Sequence, residues 1–280
     1  MYYGVDVFET LLAALADYTA VDITLRIFFG AVIGLCLGLT GVGGGVLIIP
    51  ILRGVFAMSP IMAVGTASLC AAMMKVNAGF MHLRVGNVEW KSITQVLCGA
   101  APALLLTSMG IISLSENPET AAMINQVVEF LIIGVIAFSM IAMTKRSNIK
   151  AEPDQKESGF FNPKIIMAGA ATGIVMGATG VGGGILLLPL LSVTLGLDMK
   201  KSVGSSVIIA LVLSTAAALT YSGGGQSDIL TAVLLVMGSF IGIPLAGLLM
   251  KALSDQRLQQ ISLGLITISA MVMLRSVFSS

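Results

Sequence analysis

The chain has 280 residues, 56% of them hydrophobic and only 10% charged, with a mean hydropathy of +1.00 and a formal charge of +1. A soluble domain needs more charge than this to cover its surface, and a balance this near zero offers nothing to nucleic acid. A β-barrel would alternate apolar and polar residues over about ten positions, and no segment does, so runs of about twenty apolar residues mark an all-α polytopic membrane protein.

Residues 1–20, "MYYGVDVFETLLAALADYTA", are acidic and lack a basic leader or cleavage site. They read as an N-terminal amphipathic helix lying at the membrane interface. A first repeat then occupies residues 21–143, with helical segments expected at about 21–40, 46–58, 61–81, 88–110 and 121–143. Residues 144–163, "TKRSNIKAEPDQKESGFFNP", are charged, contain Pro153 and read as a cytoplasmic linker. A second repeat fills residues 164–280, with segments expected at about 163–179, 185–197, 200–221, 227–250 and 255–278.

The two halves are copies at an offset of 139 residues. "GLTGVGGGVLIIPIL", starting at Gly38, and "GATGVGGGILLLPLL", starting at Gly177, agree at ten of fifteen positions. At the same offset Gly30 matches Gly169, Val64–Thr66 matches Val203–Ser205, Gly86 matches Gly225 and Gly99 matches Gly238. The second segment of each half is short: thirteen residues reach about 20 Å against a hydrocarbon core of about 30 Å. It should form a re-entrant hairpin with the segment before it, leaving three transmembrane helices per half and making the two repeats inverted. With the linker inside, the basic residues divide twelve to three in favour of the cytoplasm; only Arg26, Arg53 and Arg275 fall outside, as do both chain termini.

Inverted repeats with broken helices are an architecture of secondary transporters. Here the break is "TGVGGG", formed by Thr40, Gly41, Val42, Gly43, Gly44 and Gly45 in one half. The other half repeats it with Thr179, Gly180, Val181, Gly182, Gly183 and Gly184. Unwound backbone survives in hydrocarbon only against protein or a water-filled cavity. The helix restarting after each break presents unpaired N–H groups and the positive end of its dipole, and glycine lets a ligand approach them. Two such starts meeting near the membrane centre would form an anion cage of backbone amides, with the Thr40 and Thr179 hydroxyls beside it. Close helix packing is the competing reading, although packing motifs space their small residues three or four apart. No Lys-Ser/Thr follows the glycines, so the motif is not a P-loop.

The duplicated glycine motif, the following "VGT" and "VGSS" helix starts, and the turn Gly86-Asn87-Val88-Glu89-Trp90 together resemble the sulfite exporter TauE/SafE family of bacterial transporters. The resemblance covers about residues 22–278. It implies an inner-membrane carrier of small sulfur-containing anions such as sulfite, sulfoacetate or related organosulfonates. The second copy of the turn, "GGQSDI", keeps Gly225 and an acid at Asp228 but has no Trp, so no ligand roles are carried onto it.

Among the remaining polar residues, Thr66, Ser68, Ser205 and Ser206 could donate to an anion or bond the carbonyl one turn back. Glu129 is the only carboxylate well inside a span, with Asn125 on the same face; it is a candidate proton carrier or a structural acid bonded to a neighbouring helix. Lys75 snorkels to the interface or adds positive charge to an inner anion vestibule, and Arg53 has the same two readings. Cys36, Cys70 and Cys98 show no ligand or disulfide spacing. His82 is the only histidine, which argues against a His-rich metal site and an intramembrane enzyme. No cofactor is expected. The partners expected are a small anion, the bilayer and a co-transported proton; the oligomeric state has no signal. The leading function is alternating-access transport of a sulfur anion. The alternatives are an anion channel on the same scaffold and a transporter of a non-sulfur carboxylate.

Overall fold

In a computed structural model, residues 18–40, 45–145, 162–180 and 186–252 are described, together with helical positions 264, 267 and 271. The interfacial segment 1–17, most of the linker and most of the last segment lie outside the described residues. Every regular element among those described is helical: α1 (Ala20–Thr40), α2 (Gly45–Gly54), α3 (Pro60–Val85), α4 (Trp90–Glu116) and α5 (Pro118–Lys145), then α6 (Pro163–Thr179), α7 (Leu187–Pro189), α8 (Met199–Gly223) and α9 (Ile229–Ala252). A π-helical turn, Leu190–Thr194, continues α7. Six helices, α1, α3, α4, α5, α8 and α9, are long and apolar enough to cross a membrane. The expected first limb, at 21–40, thus proves long enough to span by itself, at about 31 Å.

Local chemistry sets the helix ends. Ser59 caps α3, its Oγ accepting from the Met62 N–H at 3.3 Å, with Pro60 in the first turn where its missing N–H does no harm. Gly86, at a φ of 73°, stops α3 in the left-handed region, and Gly225, at 67°, ends the turn after α8 in the same way.

Bare glycine faces set the packing. A Cβ at Gly30 would come within 2.2 Å of the Leu235 carbonyl oxygen, one at Gly34 within 2.6 Å of Ser239, and one at Gly38 within 2.4 Å of Ala246. The order of these pairs makes α1 and α9 parallel. In the same way Gly169, Gly173 and Gly177 of α6 meet Val96, Ala100 and Leu104 of α4, again in parallel. Such stripes at every fourth position let backbones touch where lipid supplies no hydrophobic drive between helices. The pair α3 and α8 is different: Gly65 lies against Tyr221 and Gly79 against Leu211 and Ile208, so these two helices are antiparallel. Both are among the most buried spans, whereas α5 is the most exposed. After α2 the chain lies back against the early part of α1, with the Phe56 ring 6.0 Å from that of Phe29 and the Arg26 guanidinium 4.6 Å above Phe56.

Candidate functional site

Each glycine motif lies between two described helical stretches. Helix α1 is described as far as Thr40 and α2 from Gly45 on; α6 ends at Thr179, and α7 is described from Leu187 on. Gly41, Val42, Gly43 and Gly44 lie outside the described residues, as do Val181, Gly182, Gly183, Gly184 and the side chain of Thr40. The entry to the second break is well defined. Gly180 is buried at a φ of 62°, and its N–H donates to the Met176 carbonyl at 2.8 Å. It is wedged against α3, where a Cβ would sit 2.9 Å from the Val64 carbonyl oxygen and 3.0 Å from Ser68 Oγ. Ser68 is therefore the candidate hydroxyl that the fold brings to a break. Its proton goes to the Val64 carbonyl (2.8 Å), and that of Thr179 to the Val175 carbonyl (2.6 Å).

Tyr221, which the sequence did not single out, forms part of the wall beside this break. It is fully buried and its hydroxyl donates to the Gly177 carbonyl at 2.6 Å. The available signal was a lone Tyr inside an apolar span, since a buried phenol needs a partner. Tyr221→Phe should lower the unfolding free energy by about 1 kcal/mol, the usual net worth of one such bond. Thermal unfolding in detergent checks this, and an unchanged midpoint would count against the bond.

Thr66 and Ser205 are placed differently from Ser68. The Asp228 N–H donates to Thr66 Oγ1 and the Glu89 N–H to Ser205 Oγ, each at 2.9 Å. Thr66 and Ser205 are matched positions in the duplication, and so are Glu89 and Asp228. Each hydroxyl thus fastens the residue that opens a helix in the other half. Next to them, a Cβ at Gly65 would fall 1.9 Å from the Gln226 carbonyl oxygen and one at Gly204 1.8 Å from that of Asn87, again a matched set. The turn "GGQSDI" is therefore held as its counterpart is, despite lacking Trp. Ser206 donates to the Val203 carbonyl at 2.8 Å within its own helix.

Arg53, Glu129 and Arg26 in the spans find partners. Arg53, at the end of α2, is 9% exposed and ion-pairs with Glu129 of α5; its Nη1 also donates to the Met58 carbonyl at 2.8 Å. Asn125 donates to the Ala121 carbonyl at 2.9 Å rather than to Glu129. Lys75 is half-buried, with exposed Val76 and Asn77 beside it. Near the start of α1, Arg26 is buried beneath the rings of Tyr18 and Phe56 and donates from Nε to Thr231 Oγ1 at 2.8 Å. Asp228 accepts from Thr231 Oγ1 (2.6 Å), from the Thr231 N–H (2.9 Å) and from the Tyr18 hydroxyl (3.0 Å).

Six helices long and apolar enough to cross a membrane, with Arg53 and Glu129 paired between two of the described helices, fit a multi-pass membrane protein. The chain belongs to the sulfite exporter TauE/SafE family, whose profile matches residues 26–273. It is 26% identical over 250 residues to the probable membrane transporter protein YjnA of Bacillus subtilis, covering 88% of this chain and 97% of that one. A probable membrane transporter protein of Methanocaldococcus jannaschii is 28% identical over 208 residues, covering 70% and 71%. YdhB of Bacillus subtilis, also named a probable membrane transporter protein, is 25% identical over 213 residues, covering 75% and 83%. No solved structure matches the chain.

Proposed function

We propose that the chain is a secondary transporter of small sulfur-containing anions, sulfite, sulfoacetate or related organosulfonates, working by alternating access. The anion sits near mid-membrane against the backbone amides where α2 and α7 begin. The observation that carries this reading is the end of α6 at Thr179, with Gly180 buried at a φ of 62°, at the start of a glycine motif that the sequence repeats at Thr40–Gly45. The family supports the sulfur anion as substrate.

Helix directions support an inverted repeat over 21–143 and 164–280. Duplicated helices related by an axis along the membrane normal would run the same way, and α3 and α8 run oppositely. An axis in the membrane plane also exchanges the pairs α1–α9 and α6–α4, both parallel. The packing of Phe56 on Phe29 supports a hairpin that returns to the side it entered. In this reading Ser68 stands beside the bound anion, while Thr66 and Ser205 act through the turns they hold. Of Glu129, Asn125 and Lys75, the side chains considered for ion coupling, Glu129 is the one joined to a hairpin, through Arg53.

A thermal-shift series on the purified protein tests this with sulfite, sulfate, thiosulfate, sulfoacetate, taurine and simple carboxylates. A sulfur anion at one hundred times its Kd should raise the melting midpoint by about 5 °C. Gly44→Val and Gly183→Val should each abolish that shift. Survival of the shift in both variants would put the anion elsewhere, and a response to carboxylates alone would change the substrate class.

A further inference from the structure

The ion pair between Arg53 and Glu129 is incomplete in an informative way. Arg53 uses Nη1 on the Met58 carbonyl and Nη2 on Glu129 Oε1, but its Nε–H is buried with no partner among the described residues. Nε and Nη2 share one edge of the guanidinium, spaced for two oxygens of a single oxyanion. Glu129 fills half of that edge. One turn earlier on the same face of α5, Asn125 commits its Nδ2 to the Ala121 carbonyl and leaves Oδ1 buried without a donor among the described residues. An unmet donor thus lies on the guanidinium that pairs with Glu129, and an unmet acceptor lies one helical turn from Glu129 on α5; such buried groups are expensive to leave unpaired.

We propose that Arg53, Glu129 and Asn125 form a second anion station, separate from the glycine breaks, that takes a small singly protonated oxyanion. One ligand oxygen accepts from Arg53 Nε–H, the ligand O–H donates to Asn125 Oδ1, and Glu129 is the resident counter-ion that yields Nη2 as the anion enters. Hydrogensulfite carries both functions; an ionised sulfonate lacks the O–H. The station exists in one half only, because the matched positions are Ser192, Ile268 and Gly264. It therefore serves one side of the membrane, as a point of capture on the way to the breaks. The inference rests on the anion-transport reading above, and its test separates the two.

The test is calorimetric titration of the full chain in nanodiscs with sulfite in mildly acidic buffer, where hydrogensulfite dominates, and with methanesulfonate. Wild type should bind two equivalents of hydrogensulfite. Glu129→Gln should tighten one of them at least fivefold by weakening the internal competitor. Asn125→Leu should weaken the same equivalent and leave methanesulfonate binding unchanged. The double change Arg53→Gln with Glu129→Gln removes both charges together, so no lone buried charge threatens folding. It should bind one equivalent, the one that Gly183→Val removes. A single equivalent in wild type, unmoved in all three station variants, would mean that a bridging water alone meets the two orphan groups; the station would be withdrawn and the cage at the breaks left standing. Loss of an equivalent in the double variant with no effect of Gly183→Val would keep the station and withdraw the cage.

Discussion

Gly204→Ala will cost about 3 kcal/mol or more of stability, and Gly65→Ala about the same, whereas Gly110→Ala will leave stability unchanged or raise it slightly. The first two positions have no room for one methyl group. A Cβ at Gly204 would lie 1.8 Å from the Asn87 carbonyl oxygen, and one at Gly65 1.9 Å from that of Gln226. Both neighbours are backbone in tight turns, pinned by left-handed Gly86 and Gly225 and by the Ser205 and Thr66 hydroxyls. Overpacking costs about 1–3 kcal/mol when side chains can shift. Here the turn itself must move, breaking the bond from the Glu89 or Asp228 N–H and displacing the start of α4 or α9. At Gly110, inside α4, an added methyl group would have nothing within 4 Å, so alanine there contributes only helix preference. The readout is the melting midpoint of detergent-solubilised protein followed by size-exclusion fluorescence. A Gly204→Ala protein melting within about 2 °C of wild type, well short of the shift per kcal/mol expected for a chain this size, would refute the contact.

These contacts show where reading the sequence reaches and where it stops. The duplication reveals which residues correspond, not which residues meet. Thr66 corresponds to Ser205, but it touches Asp228; Ser205 touches Glu89. No periodicity in one chain reports that the start of one helix packs on the turn at the far end of its copy. Ser68 and Ser206 carry a related lesson. Their counterparts at the same offset are Val207 and Ala67, and among the described residues Ser68 lies against Gly180 while Ser206 bonds within its own helix.

Helix positions were legible because apolar length and glycine are direct signals of span and stop. The expected 61–81, 88–110 and 121–143 appear as Pro60–Val85, Trp90–Glu116 and Pro118–Lys145. Each is longer because a helix ends at its capping residue, not where hydropathy falls. The segment expected at 185–197 departs most, forming only Leu187–Pro189 in α geometry before a π-helical turn. Proline supplies no N–H and crowds the carbonyl four residues back, and a wider turn relieves that crowding. The pairing of Arg53 with Glu129 was legible in principle. A lone base and a lone acid in apolar spans are each costly, and joining them reduces both penalties. The two lie 76 residues apart on different helices, and no local pattern ties one to the other. The small-residue stripes at Gly30, Gly34 and Gly38 and at Gly169, Gly173 and Gly177 were equally available at four-residue spacing, but a stripe marks a packing face without saying which helix covers it.

Asp228→Ala will cost several times more stability than Glu89→Ala, although the two residues are the same position in two copies. Asp228 opens α9, and its short side chain reaches the Thr231 N–H three residues on, as a helix cap should. The same carboxylate holds the Thr231 hydroxyl and the Tyr18 hydroxyl, and Thr231 in turn holds the buried Arg26. Removing it strips three charge-assisted bonds and disrupts the support of an arginine that is 8% exposed, for a loss of about 3–5 kcal/mol. Glu89 has one more methylene and makes no side-chain cap bond to α4; it reaches outward to Lys201 at 3.3 Å. With side chains 31% and 50% exposed, that pair is worth less than about 1 kcal/mol. Asp228→Glu should fall between the two, keeping the charge but losing the cap geometry. Equal melting shifts for Asp228→Ala and Glu89→Ala would show that the network around Arg26 adds nothing. The unequal result would mean that one turn of the duplication is locked by a buried cluster and the other only by its cross-half hydroxyl and a surface ion pair. A near-symmetric body held so unevenly at its two ends has one end that opens at lower energy than the other.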